Sequence, residues 1–322
     1  MLMKDSLRQR WHSSINCLVN ELYSQCCCSS SSAEAALSTQ DTPTTITYSS
    51  SSISLLSNNW LAKVEALYNE PHRAYHNMMH VEDVLSSLDF LMAADTQPKE
   101  ESNISFSDKD DTITTLAAFF HDVIYNPKSS TNEKDSAELF LEFASELYIA
   151  IVNDISTSST RTNDEEKTNA KHNMHETLQS NKMISQVEQC IIATATHIAS
   201  ANEARESNNT LIAIFLDGDM SILGKYTERY NTYASQIRNE YEFVERTVYC
   251  EKRAEILESF LPTMENDNVS KSLPTSNEQG KKHLYIYATE KGRDCWENQA
   301  RENLRREINM LQSGVIPGEK NN

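Results

Sequence analysis

Glycine and proline are scarce in this sequence, six and seven of 322 residues. With so few breakers, and with apolar residues recurring three and four apart, helix is favoured over strand throughout. Cysteine is neither abundant nor paired: there are seven, an odd number, three of them consecutive (Cys26, Cys27, Cys28), and none stands in CxxC spacing. That pattern excludes a disulfide framework and a zinc ribbon, and predicts reduced thiols, the triple cysteine being read as part of a linker rather than an acylation site. No apolar run approaches the ~18 residues of a membrane helix, and the start, Met-Leu-Met-Lys-Asp-Ser, lacks the apolar core of a secretory signal. A cytoplasmic protein is expected. Positive charge is also short, the net charge being −18. Such a chain repels nucleic-acid backbones, so polymeric nucleic acid is excluded as a partner. A small phosphate ester is not excluded, because a bound dication dominates the field inside a cleft. Dinucleotide (GxGxxG), P-loop, nucleophile-elbow (GxSxG) and HExxH patterns are missing too.

What is present is an apolar fraction of 39%, enough for a sizeable core. The periodicity predicts an all-α protein with helices over about 5–23, 55–69, 77–94, 111–122, 132–150, 182–198, 219–238, 240–261 and 288–312. Polar, Ser/Thr-rich tracts at about 28–54, 98–111, 153–181 and 263–282 are too long for ordinary loops and are expected to be disordered insertions. Without them the chain reads as a single helical domain with core segments of about 5–23, 55–97, 111–152, 182–262 and 284–313. Leu7, Trp11, Ile15, Leu18 and Leu22 form one amphipathic stripe. Tyr226, Tyr230, Tyr233, Ile237 and Tyr241 form an aromatic stripe that reads as core, and Met183, Val187, Cys190, Thr194 and His197 form a mixed one.

Two short stretches carry chemistry. Tyr75-His76-Asn77-Met78-Met79-His80 sets His76 and His80 four apart, so on a helix both imidazoles project from nearly the same face, one able to bind metal while the other faces substrate. In the second stretch Leu116, Ala117, Phe120, His121 and Ile124 form an apolar stripe that carries His121 inward, with Asp122 at the helix end. Val81, Val84, Leu85 and Leu88 do the same for His80. A metal site needs three or four nitrogen and oxygen donors, and Asp217 and Asp219 in Leu-Asp-Gly-Asp-Met are the obvious further carboxylates. Two residues apart on a helix they diverge, so one ligates and the other is expected to cap a helix. Glu133 belongs to a capping box, Ser130 to Glu133, and only secondarily to the site. His197 is divided between a packed histidine and a phosphate or second-metal contact. His12, His72, His172, His175 and His283 stand in polar contexts and are expected in solvent.

The order His80, His121-Asp122, then a late Asp in Asp-Gly-Asp-Met resembles the H…HD…D pattern of the HD superfamily of metal-dependent phosphohydrolases. The chain resembles more closely still a branch described as predicted metal-dependent HD phosphohydrolases. That likeness lies at residues 71–77, 119–125, Asn132-Glu133 with Ser136-Ala137, Leu216 to Gly224, Ile237-Arg238 with Glu240-Tyr241, and Ala300-Arg301 with Asn303-Leu304. Tyr-His-Asn-x-x-His-x-x-Asp-Val also resembles the signature of cyclic-nucleotide phosphodiesterases, where the first histidine donates a proton and the second binds metal. The resemblance implies an HD helical bundle in which His80, His121, Asp122 and Asp219 hold a divalent ion (Mn, Fe, Zn, Co or Ni), with Asp219 preferred over Asp217. His76 then becomes the general acid. The substrate implied is a small phosphate ester or nucleotide, and Arg73, Lys128, Arg238 and Arg301 are candidates for gripping its oxygens. The chain departs from the phosphodiesterases at Tyr125, which stands where they have a second-metal histidine. Cyclic-nucleotide hydrolysis is therefore the alternative, and a non-catalytic metal-binding or interaction protein on the same scaffold is a second one.

Overall fold

The computed structural model describes residues 3–28, 51–93, 105–158, 174–261 and 285–319. Every regular element among them is a helix. In chain order these are α1 Asp5–Cys28, α2 Ser51–Tyr68, α3 Met78–Met92, α4 Asp108–Phe120, α5 Asn132–Ser158, α6 Met174–Ser180, α7 Lys182–Ala193, α8 His197–Glu206, α9 Thr210–Asp219, α10 Thr227–Glu240, α11 Arg246–Phe260 and α12 Glu290–Gln312. Short 3₁₀ turns occupy Thr194–Thr196 and Met220–Gly224. None of the described helices is long and apolar enough to cross a membrane. Most of the four polar tracts, and His172 and His283 with them, lie outside the described residues, although α2, α4, α5 and α6 each extend into one.

Several boundaries differ from the periodicity, each for a local reason. Helix α4 starts at Asp108, three residues before the expected 111, because Ser107 and Asp110 form a reciprocal capping box, with Asp108, Asp110 and Asp111 in the first turn where the helix dipole favours anions. Helix α3 starts only at Met78: the side chain of Asn77 accepts the backbone N–H of Met79, and its carbonyl accepts those of His80 and Val81. The segment expected to run unbroken through 182–198 stops at Ala193, turns through 3₁₀ geometry and restarts at His197. Helix α9 lies outside the segments that periodicity predicts, since Leu211 to Leu216 is so uniformly apolar that it shows no period; nearly all of it is buried.

The residues group into two compact units. The first comprises residues 1–70, 76–85 and 93–195. Its core is aromatic. Trp11 of α1 meets Phe119 edge-on at 5.2 Å and lies 5.6 Å from Phe143 of α5, while Phe120 stacks on Phe143 at 5.6 Å and Trp60 of α2 closes the cluster at 5.4 Å from Phe143. Aromatic pairs of this kind add about 0.5–1.5 kcal/mol each beyond the area they bury. Both indoles keep their polar edge satisfied, Trp11 Nε1 donating to Ser57 Oγ at 3.0 Å and Trp60 Nε1 to Glu146 Oε2 at 2.7 Å. All five residues of the α1 stripe are buried, as expected. His12, expected in solvent, is half-buried instead with Nδ1 3.2 Å from Ser57 Oγ.

The second unit comprises residues 71–75, 86–92 and 196–322. Helix α12 is its axis, packed against α11 and against the 3₁₀ turn after α9. The approach to that turn is close enough that a Cβ at Gly224 would collide with Trp296, and Asn303 Nδ2 donates to the carbonyls of both Leu223 and Lys225 at 2.8 Å. Of the aromatic stripe on α10, Tyr230, Tyr233 and Ile237 are buried as predicted. Tyr226 is 65% exposed, because it is the residue before the helix and its extended backbone turns the side chain out of the stripe. Beneath the stripe Glu307 accepts from Tyr230 Oη at 2.5 Å and Arg253 Nε at 3.0 Å, and Arg253 Nη2 donates to Tyr233 Oη at 3.1 Å.

Candidate metal centre

The first unit carries a cluster built from two helix ends. Phe119 and Phe120 are locked into the aromatic core, so the next residue, His121, is carried inward at the C-cap of α4 and is 1% exposed. Its Nδ1 lies 3.0 Å from the carbonyl of Ala118. A carbonyl only accepts, so Nδ1 bears a proton, and Nε2 is the nitrogen that faces the cluster, able to donate to Asp122 when the ring is protonated and to bind a metal when it is not. His80 comes from the first turn of α3, where Asn77 sets the start of the helix and Val81, Val84 and Leu85 fix its buried face. Asp122 follows His121 beyond the helix end, its side chain 18% exposed.

These three residues converge. His80 Nε2 lies 3.0 Å from His121 Nε2, and Asp122 Oδ2 lies 3.1 Å from His121 Nε2 and 3.4 Å from His80 Nε2. Such a triangle has the edge lengths that a metal imposes: ligands held at ~2.0–2.2 Å from one ion sit roughly 3.0–3.5 Å apart at ordinary angles. Among the described residues this is the group of three or more donors able to hold an ion. Burial raises the Asp122 pKa, but the charge and hydrogen bond of His121, then the charge of His76 and the hydrogen bond of His80, hold the carboxyl well below the usual carboxylate range. The pocket therefore keeps an anion ready for positive charge. The carbonyl of Ala118 orients the His121 imidazole from its far nitrogen.

His76 stands beside this triangle rather than in it. Expected on a helix with His80, it lies instead in the bend before α3, because Asn77 starts the helix after it. Its half-buried ring meets that of His80 edge-on at 5.7 Å and stacks on Tyr125 at 4.2 Å, with 30° between the planes. Tyr125 belongs to the loop that follows the His-Asp doublet, and the sequence had marked it only as a departure from the phosphodiesterase signature.

The remaining candidates of the first unit are peripheral. Glu133 is half-buried in the first turn of α5, whose start is organised one residue further on than the box from Ser130 to Glu133: Thr131 Oγ1 donates to Asp135 Oδ2 at 2.8 Å and its carbonyl accepts the Asp135 N–H at 2.8 Å. Lys128 is exposed.

In the second unit Asp219 closes α9, and His197 Nε2 donates to its Oδ2 at 2.7 Å. Asp217 accepts backbone N–H groups, as one of the two aspartates was expected to do, but from the start of the distant α12 rather than from the next helix. Burial pushes its carboxyl up to about 6 against three hydrogen bonds that pull it down. Arg238 donates to the carbonyls of Tyr241 and Val244 and lies over the Tyr249 ring at 4.8 Å, which closes the end of α10. Arg301 is similarly engaged, by Glu297 at 2.6 Å, and Arg73 is buried. Comparison of the chain with protein-family models, with curated proteins and with solved structures returned no match.

Proposed function

We propose that the chain is a metal-dependent phosphohydrolase of the HD type, acting on a small phosphate ester or nucleotide. One observation carries the reading: two imidazole nitrogens and a carboxylate oxygen, from His80, His121 and Asp122, face one another at 3.0–3.4 Å with His76 beside them. Two histidines and one carboxylate suit Mn, Fe, Co, Ni or Zn and leave coordination positions open for water and substrate. A divalent ion held there would lower the pKa of a coordinated water toward ~7 and polarise a phosphoryl oxygen.

The residues of the chain supply the rest. His121, with Nδ1–H tied to Ala118, presents Nε2 in one tautomer and one orientation. Asp122 offers a carboxylate whose pKa its histidine neighbours hold well below the usual range. His76 is the proton donor to the leaving oxygen, a role worth ~10²- to 10⁴-fold in rate. The H…HD…D order of the sequence implies a late Asp as a further ligand, with Asp219 its candidate, and a cytoplasmic setting is expected from the cysteine pattern and the lack of long apolar runs in the sequence.

The test is metal analysis of purified protein, followed by a panel of phosphomonoesters, nucleotides and cyclic nucleotides with the native ion restored. Stoichiometric metal and turnover of at least one ester are expected. Turnover of cAMP or cGMP alone would move the assignment to a cyclic-nucleotide phosphodiesterase. Bound metal with an inert panel would favour a binding protein on this scaffold.

A further inference from the structure

The geometry points to Tyr125 as a positioning residue: its ring is a rigid platform that sets the plane of the His76 imidazole, and Ser136 and Asn132 hold that platform in place. This rests on the reading of His76 as the proton donor. His76 needs such support, because it lies in the bend before α3 rather than within the hydrogen-bonded helix that begins at Met78. Tyr125 covers one face of its imidazole at 4.2 Å and 30°. Both ring nitrogens of a histidine point outward in the ring plane. A stacked neighbour therefore restricts rotation of the ring without occupying either nitrogen, which a hydrogen-bonding partner would do. A general acid gains from that arrangement, since its orientation is restrained from the ring face.

The platform itself is clamped on both sides. Ser136, fully buried in α5, accepts the backbone N–H of Ile124 at 3.1 Å and donates to the carbonyl of the same residue at 3.3 Å. Asn132 does likewise for Asn126, its Oδ1 accepting the N–H and its Nδ2 donating to the carbonyl, both at 3.0 Å. The residues immediately before and after Tyr125 thus have both backbone polar groups tied to the start of α5. A loop with that many fixed groups holds its side chain in one place, as a positioning residue requires. Asn132 and Ser136, which the sequence singled out without a role, acquire one: they brace the loop rather than touch the chemistry.

The experiment compares Tyr125→Phe, which keeps the aromatic face, with Tyr125→Leu, which removes it, and with His76→Ala, all in the full-length Mn²⁺-loaded protein. Rates are measured on phenyl phosphate, whose leaving oxygen needs a proton, and on 4-nitrophenyl phosphate, whose leaving oxygen does not. The expected result is wild-type behaviour for Tyr125→Phe and a kcat lower by about 10- to 100-fold for Tyr125→Leu on phenyl phosphate, with little change on 4-nitrophenyl phosphate. KM and metal content should not move. In the Zn²⁺-loaded, histidine-labelled protein, the ring-current shift of the His76 Hε1 resonance should persist in Tyr125→Phe and vanish in Tyr125→Leu. Equal losses on both esters, loss of metal, or an unmoved His76 resonance would overturn the inference and leave Tyr125 a structural residue. If His76→Ala keeps its rate on phenyl phosphate, the proton-donor reading fails, and the positioning role falls with it. If the wild-type protein turns over neither ester, the phosphohydrolase reading loses its support, and the resonance alone decides whether Tyr125 sets the plane of His76.

Discussion

Asp217 and Thr289, 72 residues apart, share a carboxylate oxygen: Asp217 Oδ2 accepts both the backbone N–H of Thr289, at 2.8 Å, and its hydroxyl, at 2.6 Å. The same hydroxyl accepts the N–H of Gly292 at 2.9 Å, so one buried carboxylate organises the first turn of α12 through its N-cap residue. Asp217→Asn presents an amide N–H₂ where a donor already points, and should destabilise the fold by about 1–3 kcal/mol in urea titration. Gly292→Ala should cost a comparable amount, because its Cβ would stand 2.5 Å from Oδ2 of the Asp217 carboxylate, which three hydrogen bonds, two of them to Oδ2, pin in place. Wild-type midpoints for both variants would show that the anchor carries no stability.

Metal content separates the ligands from their neighbours. His80→Ala, His121→Ala and Asp122→Ala should each lower bound metal from stoichiometric to a small fraction, since each removes one corner of the triangle. Asp219→Asn tests whether the late Asp of the H…HD…D order is a ligand at all: lowered metal content would support it and unchanged content would remove it. His76→Ala should retain full metal while losing ~10²-fold or more in kcat on esters with poor leaving groups. Unchanged metal in both His80→Ala and Asp122→Ala would refute the centre.

Thiol chemistry should follow burial. Burial pushes the Cys190 thiol up to about 12, so almost no thiolate exists at pH 8. Cys295 is exposed. Peptide mapping after iodoacetamide treatment of the native protein at pH 8 should find Cys295 labelled and Cys190 unlabelled, with labelling of Cys190 appearing only in denaturant. Equal labelling of the two in the folded state would contradict the packing of α7.

The buried ion pair of Arg253 with Glu307 predicts an asymmetric response. Glu307→Ala leaves the guanidinium without its counter-charge and Tyr230 without its acceptor, and should cost about 3–5 kcal/mol. Tyr230→Phe removes only one hydroxyl and should cost about 1 kcal/mol. Chemical denaturation distinguishes the two, and similar small losses would mean that the pair is stabilised elsewhere.

Much of this was legible from the residues alone, and the reasons are specific. The stripe Leu116-Ala117-Phe120-His121 repeats at helical spacing, so burying Phe120 obliges His121 to follow it inward; the same holds for His80 above Val84 and Leu88. Boundaries were less legible where a cap competes with periodicity. Asn77 ends the bend before α3 by accepting the N–H of Met79, which takes His76 off the helix face that the four-residue spacing suggested. Periodicity describes which side of a helix is apolar, and it does not say where the helix starts.

The sequence by itself determined the class of fold and the identity of the buried donors, because both follow from local patterns: scarce Gly and Pro, apolar residues three and four apart, and histidines set into those stripes. Only the tertiary structure decided that His80, His121 and Asp122 form one triangle, that Tyr125 lies flat on His76, and that Asp217 anchors Thr289 rather than a neighbouring turn. Each is a contact between residues far apart in the chain or in a loop without period. Such contacts are set by how helices pack and by which polar atoms burial forces into partnership, information that no single segment carries.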